Sequence, residues 1–179
     1  MPYLKTLNDA DIFPKDSFNV LARYVKRVTV KAIVKDDRNR FAFITSPING
    51  QYLLSGGGAE SEDLEKEIRR ECLKELGYEI EILEVIEQTQ EFRNKLEKEY
   101  ETTCFLAKAT KKISGDFRTE DEKEARLSVA WFTLDEAKEI LDRQVEGVKK
   151  GEIEGYELPF NITRDHLFFM KFLHDRGEA

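Results

Sequence analysis

The chain has 179 residues, of which 40% are hydrophobic and 36% charged, and this is enough for one globular domain with a buried core. The formal net charge of -7 argues against tight, sequence-independent binding to nucleic acid, because such binding depends on Lys and Arg. No apolar run approaches the roughly 18 residues of a transmembrane helix, and the N-terminus lacks the basic and apolar regions of a signal peptide.

The first 24 residues are weakly patterned, and we interpret residues 1–24 as an N-terminal extension to a domain that occupies residues 25–179. Regular structure is predicted to begin near Arg27, where an alternation of period two indicates a strand. The apolar positions of this strand are Val28, Val30, Ala32 and Val34. Residues 41–45 are its predicted hairpin partner, and a short strand over 52–54 leads into the glycines at 56–58.

A helical period follows the glycines. Apolar residues recur every four positions at Leu64, Ile68, Cys72 and Leu76. Ser61 is suited to the N-cap and Gly77 to the C-terminal stop. The sequence therefore predicts a helix between these two residues.

The remaining chain alternates between strand and helix patterns. Thr133 and Glu136 form a capping-box signature for a helix through about Leu141, residues 144–162 are predicted to be irregular, and Thr163 is the predicted cap of a final helix. Further predicted strands are 80–90, 100–110 and 127–132, and predicted loops are 92–98 and 111–124. Interleaved elements of this kind indicate an α/β or α+β class with a mixed sheet.

One helix carries an unusual row of carboxylates. Glu67, Glu71 and Glu75 are spaced by one turn each, so they form a ridge of like charges that repel one another. Glu75 also falls beside the apolar arc of the helix, where an unpaired carboxylate is costly. A divalent cation would resolve both problems, and Mg²⁺, with Mn²⁺ as an alternative, is the cation that oxygen ligands favour.

The stretch from Gly56 to Tyr78 resembles the Nudix box, G-x5-E-x7-R-E-U-x-E-E-x-G-U, in which U is a bulky apolar residue. Six of the seven named positions match at the expected spacing, and the exception is Lys74 in place of Glu. The strand, glycine turn and helix also follow one another in the order of the family. The resemblance implies a Nudix-like α/β/α sandwich with a mixed β-sheet.

The resemblance also implies a set of site residues. Glu71 and Glu75 would bind the metal, with a carbonyl at Gly56 or its neighbour as a further ligand. Glu62 would pair with Arg70 or with bound water, and Arg70 would orient a carboxylate. For the general base or an additional ligand the candidates are Glu122 and Glu124, of which we prefer Glu124.

Two residues depart from the family pattern. The Lys74 ammonium could replace one of several metals, pair with Glu71, or point to solvent. Ser55 stands where many members of the family have proline.

The function implied by the resemblance is a MutT-like, metal-dependent pyrophosphatase. It would cleave a diphosphate linkage in a nucleoside diphosphate-X or a nucleoside triphosphate. The alternative is a catalytically weak or inactive Nudix-fold module that binds a nucleotide, and Lys74 is its main support. Diphosphate isomerase chemistry has no support in the sequence. We expect a small-molecule nucleotide-like partner, no membrane, and a chain that can form a homodimer. Cys72 and Cys104 outline neither a zinc site nor a disulfide framework, so we expect a reducing, cytoplasmic environment.

Overall fold

The computed structural model describes residues 4–16, 21–115, 117, 120–124 and 126–178, without the side chains of residues 121 and 122. The strands are β1 (Lys5–Asn8), β2 (Val25–Lys35), β3 (Phe41–Thr45), β4 (Tyr52–Leu53), β5 (Tyr78–Arg93), β6 (Lys98–Lys112) and β7 (Ser128–Phe132). The helices are α1 (Asp9–Ile12), α2 (Leu64–Leu76), α3 (Glu120–Glu124), α4 (Leu134–Lys150) and α5 (Glu157–Asp175), with a 3-10 turn at Asn94–Leu96.

The strands form one mixed sheet. Within the described residues it has seven strands in the order β1-β5-β6-β2-β3-β4, and β7 pairs with β3. β2 runs parallel to β6 along its whole length, and β1 runs parallel to β5, whereas the other neighbours are antiparallel. The long parallel pair places β2 at the centre of the sheet, where both of its faces can be buried.

One face of the sheet is covered by α2. The predicted row at positions 64, 68, 72 and 76 does face inward, and Ile68 and Cys72 are fully buried against Val30, Ala32 and Phe105. A helix with one apolar stripe packs in this way because the stripe leaves water only when it meets the sheet.

The opposite face of the sheet is covered by α5. Phe168, Phe169 and Phe172 pack on Ile33 of β2 and on the aromatic residues of β3. α4 packs beside α5 and contributes the buried Ala137 and Leu141. Helical layers on both sides of a mixed sheet confirm the predicted α/β/α sandwich.

Residues 5–12 are also part of this architecture. β1 pairs with β5 over Lys5 to Asn8, and Leu7 is fully buried. α1 follows directly, with an Asn8–Asp11 capping box at its start. The expectation that regular structure begins near Arg27 is therefore wrong, because four residues are enough to extend a sheet at its edge.

Two predicted helix boundaries also differ. α4 does not end near Leu141 but continues to Lys150, and α5 begins at Glu157, so the predicted irregular segment is mostly helical. Thr163 does not cap a helix, since its hydroxyl donates to the Pro159 carbonyl oxygen inside α5. The predicted capping box at Thr133 and Glu136 is confirmed, with both of its hydrogen bonds formed.

The remaining predicted loops contain short elements. β5 extends to Arg93 and the 3-10 turn follows, within the predicted loop 92–98. The predicted loop 111–124 begins with the end of β6 and finishes with α3. None of the helices in the described part of the chain combines the length and the apolar character needed to cross a lipid bilayer.

Candidate active site

The helix α2 is fixed at both ends, and this sets where its carboxylates lie. Its N-cap is Asp63, whose side chain accepts a hydrogen bond from the backbone N–H of Lys66. The predicted cap, Ser61, instead donates its hydroxyl to Glu67 at 2.7 Å. Gly77 ends the helix in a left-handed conformation with φ 73°, as predicted.

Glu75 reaches from α2 to the turn that precedes the helix. Its Oε2 accepts hydrogen bonds from the Ser55 hydroxyl and from the Gly56 backbone N–H, each at 2.8 Å. Burial raises the pKa of this carboxyl above its ordinary value, while the Lys31 ammonium and the two donors act in the opposite direction. Glu75 is thus held against the turn by donors that also favour its ionised form.

Glu71 lies one turn earlier, almost fully buried at 2% exposure. A Cβ placed on Gly57 would lie only 2.8 Å from its carboxylate carbon, so a residue larger than glycine there would displace this carboxylate. Arg70 Nη2 lies 2.8 Å from Glu71 Oε1. The Lys74 ammonium lies 2.6 Å from Oε2, in ionic contact but without the alignment of a hydrogen bond.

Arg70 connects the ridge to the turn. Its Nε and Nη2 donate to Glu67 Oε2 at 3.0 and 2.8 Å, and its Nη2 also donates to the Gly58 carbonyl oxygen at 3.2 Å. The Ser61 hydroxyl and this guanidinium lower the pKa of Glu67 to about 2. Arg70 therefore contacts two of the three ridge carboxylates and the glycine backbone at once.

The carbonyl groups of the turn are not equivalent. The Ser55 and Gly57 oxygens accept hydrogen bonds from the backbone N–H groups of Ala32 and Val30, each at 2.9 Å. The Gly56 carbonyl oxygen accepts a hydrogen bond from the Lys31 ammonium at 3.3 Å. Gly56 itself has φ 141°, and a Cβ there would overlap the Val30 carbonyl oxygen, so this position also requires glycine.

The other predicted site residues lie outside this group. Glu62 is exposed on the segment before α2, and the acidic side chains paired with Arg70 are Glu60, Glu67 and Glu71. Glu124 is exposed at the end of α3. The side chain of Glu122 is outside the described residues.

Three polar residues at the site were not predicted from the sequence to have a role there. Ser55 was noted only as a departure from the family, yet its hydroxyl contacts Glu75. Lys31 lies between the predicted apolar positions of β2, yet it is buried at the turn. Asp165, fully buried, accepts the N–H of Leu54 just before the turn. A charged residue within the apolar run of a central strand is the signal that could have pointed to Lys31, because such a residue needs a buried partner.

Cys72 lies on the same helix but has a different role. It is fully buried in the core, and burial raises the pKa of its thiol to about 12. A thiol of that pKa is protonated near neutral pH, so Cys72 is a packing residue, as expected from its place in the apolar row.

The donor set can be compared with the needs of a divalent cation. Among the described residues, no group of three or more His, Cys, Asp or Glu side chains is arranged to hold a metal ion. Glu71 and Glu75 both lie against the glycine turn, and Glu71 Oε2 is buried, in ionic contact with the Lys74 ammonium at 2.6 Å but without a hydrogen bond. Oxygen donors of this kind fit one hard cation that completes its shell with water and substrate oxygens.

A mixed sheet between helical layers, with the glycine turn and the acidic helix at this spacing, defines the Nudix class of proteins. The chain belongs to the NUDIX domain family, whose profile matches residues 25–151. As a member of that family it is classed among hydrolases that act on phosphorus-containing acid anhydrides.

Solved structures show the same fold. A NUDIX hydrolase from Nitrosomonas europaea has a TM-score of 0.55 at 16% identity, over 79% of this chain and 88% of that one. The MutT protein from Methanosarcina mazei Go1 has a TM-score of 0.55 at 16% identity, over 88% of this chain and 99% of that one. No curated protein matches the sequence at a significant level.

Proposed function

We propose that the chain is a metal-dependent hydrolase that cleaves a diphosphate linkage in a nucleoside diphosphate-X or nucleoside triphosphate. The observation that carries this proposal is the convergence of two α2 carboxylates on one glycine turn. Glu75 accepts hydrogen bonds from that turn, and Glu71 packs against its Gly57 backbone.

Glu71, Glu75 and the Gly56 carbonyl oxygen would hold the cation, for which Mg²⁺ is our first choice and Mn²⁺ the second. When bound, such a cation polarises a phosphoryl oxygen and lowers the pKa of an attacking water. Arg70 keeps the Glu71 carboxylate oriented through its contact at 2.8 Å. Ser55 and Gly56 keep the Glu75 carboxylate oriented through their hydrogen bonds.

Glu62 and Glu124 stay candidates for further roles at this site. Both are exposed, so both can reach substrate or bound water only from the solvent side. We retain Glu124 as the candidate general base. It lies on α3, in the connection that leads from β6 into the late strand β7. An exposed carboxylate is free to accept a proton and release it to solvent.

A cavity beside β4 is large enough for the rest of a nucleotide-like substrate. Its volume is about 450 Å³, and it is lined by Tyr52, Phe132, Arg143 and Gln144, among others. Tyr52 lies three residues before Ser55, so the cavity and the turn are adjacent along the chain. Aromatic rings and a guanidinium suit a ligand that carries both a flat ring and phosphate charge.

A substrate panel tests the proposal. The purified chain is incubated with nucleoside triphosphates, nucleotide sugars, ADP-ribose and dinucleoside polyphosphates, with Mg²⁺, Mn²⁺ or EDTA, and the release of phosphate and pyrophosphate is followed. Turnover that requires the metal is the expected result. Turnover that continues unchanged in EDTA would rule out the metal-dependent mechanism.

The second candidate function is a nucleotide-binding module without turnover. It is favoured by Lys74, which stands where the family motif has Glu. The Lys74 ammonium forms an ion pair with Glu71 Oε2 at 2.6 Å. Lys74→Glu separates the two candidates. If the natural chain is silent over the whole panel and Lys74→Glu hydrolyses a substrate, the binding module is the better account.

Two further expectations belong to this proposal. Both thiols are buried and free, which supports the cytoplasmic environment that we propose from the sequence. Self-association into a homodimer is likewise proposed from the family resemblance, and light scattering of the purified chain would test it.

A further inference from the structure

Both main-chain polar groups of Leu54 are bound by buried charged side chains. The Leu54 N–H donates to Asp165 Oδ2 at 2.9 Å, and the Leu54 carbonyl oxygen accepts from the Lys31 ammonium at 2.8 Å. Asp165 is fully buried and Lys31 is 9% exposed. Lys31 comes from the central strand β2 and Asp165 from α5, so two distant segments meet on one residue.

Asp165 is held in place by its neighbours in turn. Its other oxygen, Oδ1, accepts from Arg164 Nε and Nη2 at 3.0 and 2.9 Å. Arg164 also lies 3.5 Å from the buried Glu91. Buried charges are costly to desolvate, and apolar side chains of similar volume often stabilise a protein equally well or better. A role other than stability is therefore reasonable for this group.

The contacts continue from Leu54 into the candidate active site. Ser55 and Gly56 follow Leu54 directly, and both donate to Glu75. The Lys31 ammonium reaches past Leu54 to the Gly56 carbonyl oxygen, at 3.3 Å. Hydrogen bonds at both ends of the Leu54–Gly56 backbone thus join α5 on one face of the sheet to Glu75 on α2.

We propose that Lys31 and Asp165 are positioning residues that together hold the Leu54 peptide groups and so fix the Ser55–Gly57 turn for cation binding. This inference rests on the proposed function. Without the two side chains, the N–H and the carbonyl of Leu54 would be left buried without partners, and the chain would rotate there to satisfy them. Such a rotation moves the Gly56 oxygen and the two donors to Glu75 together.

A purely electrostatic role for the pair predicts a different outcome. Removing a positive charge near carboxylates strengthens the binding of a cation, whereas removing a negative charge weakens it. Positioning predicts weaker binding in both cases. The direction of the change for a Lys31 variant therefore distinguishes the two explanations.

The test compares Lys31→Met and Asp165→Asn with the wild-type chain. Met keeps the length of the side chain without the ammonium group. Asn offers one oxygen where Asp offers two, so Arg164 and Leu54 cannot both be satisfied. The control is Thr89→Val, because Thr89 is fully buried and its hydroxyl has no hydrogen-bond partner in the described structure.

The first readout is amide hydrogen exchange by NMR, which needs no metal. In the wild-type chain the Leu54 amide should exchange as slowly as the amides of central β2, and in Asp165→Asn it should exchange at least tenfold faster. Exchange of the Cys72 amide in α2 should stay unchanged in each variant. A Leu54 amide that exchanges at the rate of exposed loops in the wild-type chain would overturn the proposal, even if the variants do not fold.

The second readout is Mn²⁺ affinity measured by electron paramagnetic resonance. We expect a loss of tenfold or more in both Lys31→Met and Asp165→Asn, and no change in Thr89→Val. Tighter binding in Lys31→Met would overturn the positioning role in favour of electrostatics. If the wild-type chain binds no Mn²⁺, the proposed function fails, and the exchange result alone decides whether the two residues hold the turn.

Discussion

The three ridge carboxylates of α2 have the same spacing but different surroundings. Glu67 is bound by Ser61 and Arg70, whereas Glu75 is bound by Ser55 and Gly56. Glu71 lies between the guanidinium of Arg70 and the ammonium of Lys74. The helical period predicts that the three share one ridge, but Ser55, Gly56 and Ser61 come from the segment before the helix. The spacing of the three carboxylates could not predict which partner each one has, because it contains no information about how that segment packs against α2.

Glu67 gives a pH-dependent prediction. Its pKa is about 2 in the folded chain, against an ordinary value of 4.5, since Ser61 and Arg70 bind the ionised form. The stabilisation is thus fully present above about pH 4.5 and is lost as the pH falls towards 2. Urea unfolding of the wild-type chain and of Glu67→Gln should show a difference in unfolding free energy that is constant from pH 7 to 5 and shrinks by pH 3.

Glu65→Gln is the matched control for this series. Glu65 lies on the same first turn of α2, but it is exposed, and its ion pair with Arg69 is long, at 3.9 Å. Its effect on the unfolding free energy should be small at every pH, as is usual for exposed pairs. A Glu67 effect that did not change between pH 5 and pH 3 would show that its hydrogen bonds do not favour the ionised form.

At the scale of single elements, α2 is the best predicted part of the chain. Its apolar row and its glycine stop were both evident in the sequence, because the stripe and the left-handed C-terminal residue are local requirements. The N-cap was misplaced by two residues. Both Ser61 and Asp63 can cap a helix, and the choice depends on Glu67, which binds the Ser61 hydroxyl.

Gly77 gives a prediction for the end of this helix. It has φ 73°, a conformation that costs residues with a Cβ roughly 1–2 kcal/mol. The nearest atom to an added Cβ is 3.9 Å away, so space is not limiting. Gly77→Ala should therefore lower the unfolding free energy by about 1 kcal/mol, and Gly77→Asn by less, because Asn tolerates this conformation.

Urea unfolding of both variants checks this expectation. Equal losses for Ala and Asn would point to a cause other than backbone conformation. No loss for either would show that the helix ends differently in solution.

The observed bounds of α4 and α5 differ from the predicted ones for two separate reasons. The buried positions of α4 include Ala137, Leu141, Val145 and Val148, which keep the helical spacing past the predicted end. The helix ends only where Gly151 adopts φ 73°. In α5, Pro159 lies in the first turn, where a missing N–H does no harm, so it does not break the helix as it would further along.

At the scale of the whole molecule, contacts between distant segments decided what the sequence could not show. β1 was not predicted because four residues are too few to show a strand periodicity. Its partner strand β5 also lies more than 80 positions away along the chain. The Lys31 and Asp165 contacts with Leu54 are of the same kind. By contrast, the sandwich itself was predicted from local signals and from one 23-residue resemblance.

Leu7 tests whether β1 belongs to the folded unit. It is fully buried among Ile12, Val145 and Phe160. Leu7→Ala should lower the unfolding free energy by roughly 2–5 kcal/mol, the range for a buried leucine. Lys5→Ala, on the same strand but exposed, should change it by less than about 0.5 kcal/mol. Similar small effects for both would mean that residues 5–8 are not packed in solution.

Glu71 and Glu75 are the residues that we propose to hold the metal for diphosphate hydrolysis. The most direct measurement is kcat/KM of Glu71→Gln and Glu75→Gln, with the best substrate from the panel and a range of Mg²⁺ concentrations. Glu65→Gln serves as the control on the exposed face of the same helix. We expect a loss of at least about 100-fold in both site variants, and near wild-type activity in the control. Wild-type activity in either Glu71→Gln or Glu75→Gln would show that the substituted carboxylate does not hold the metal.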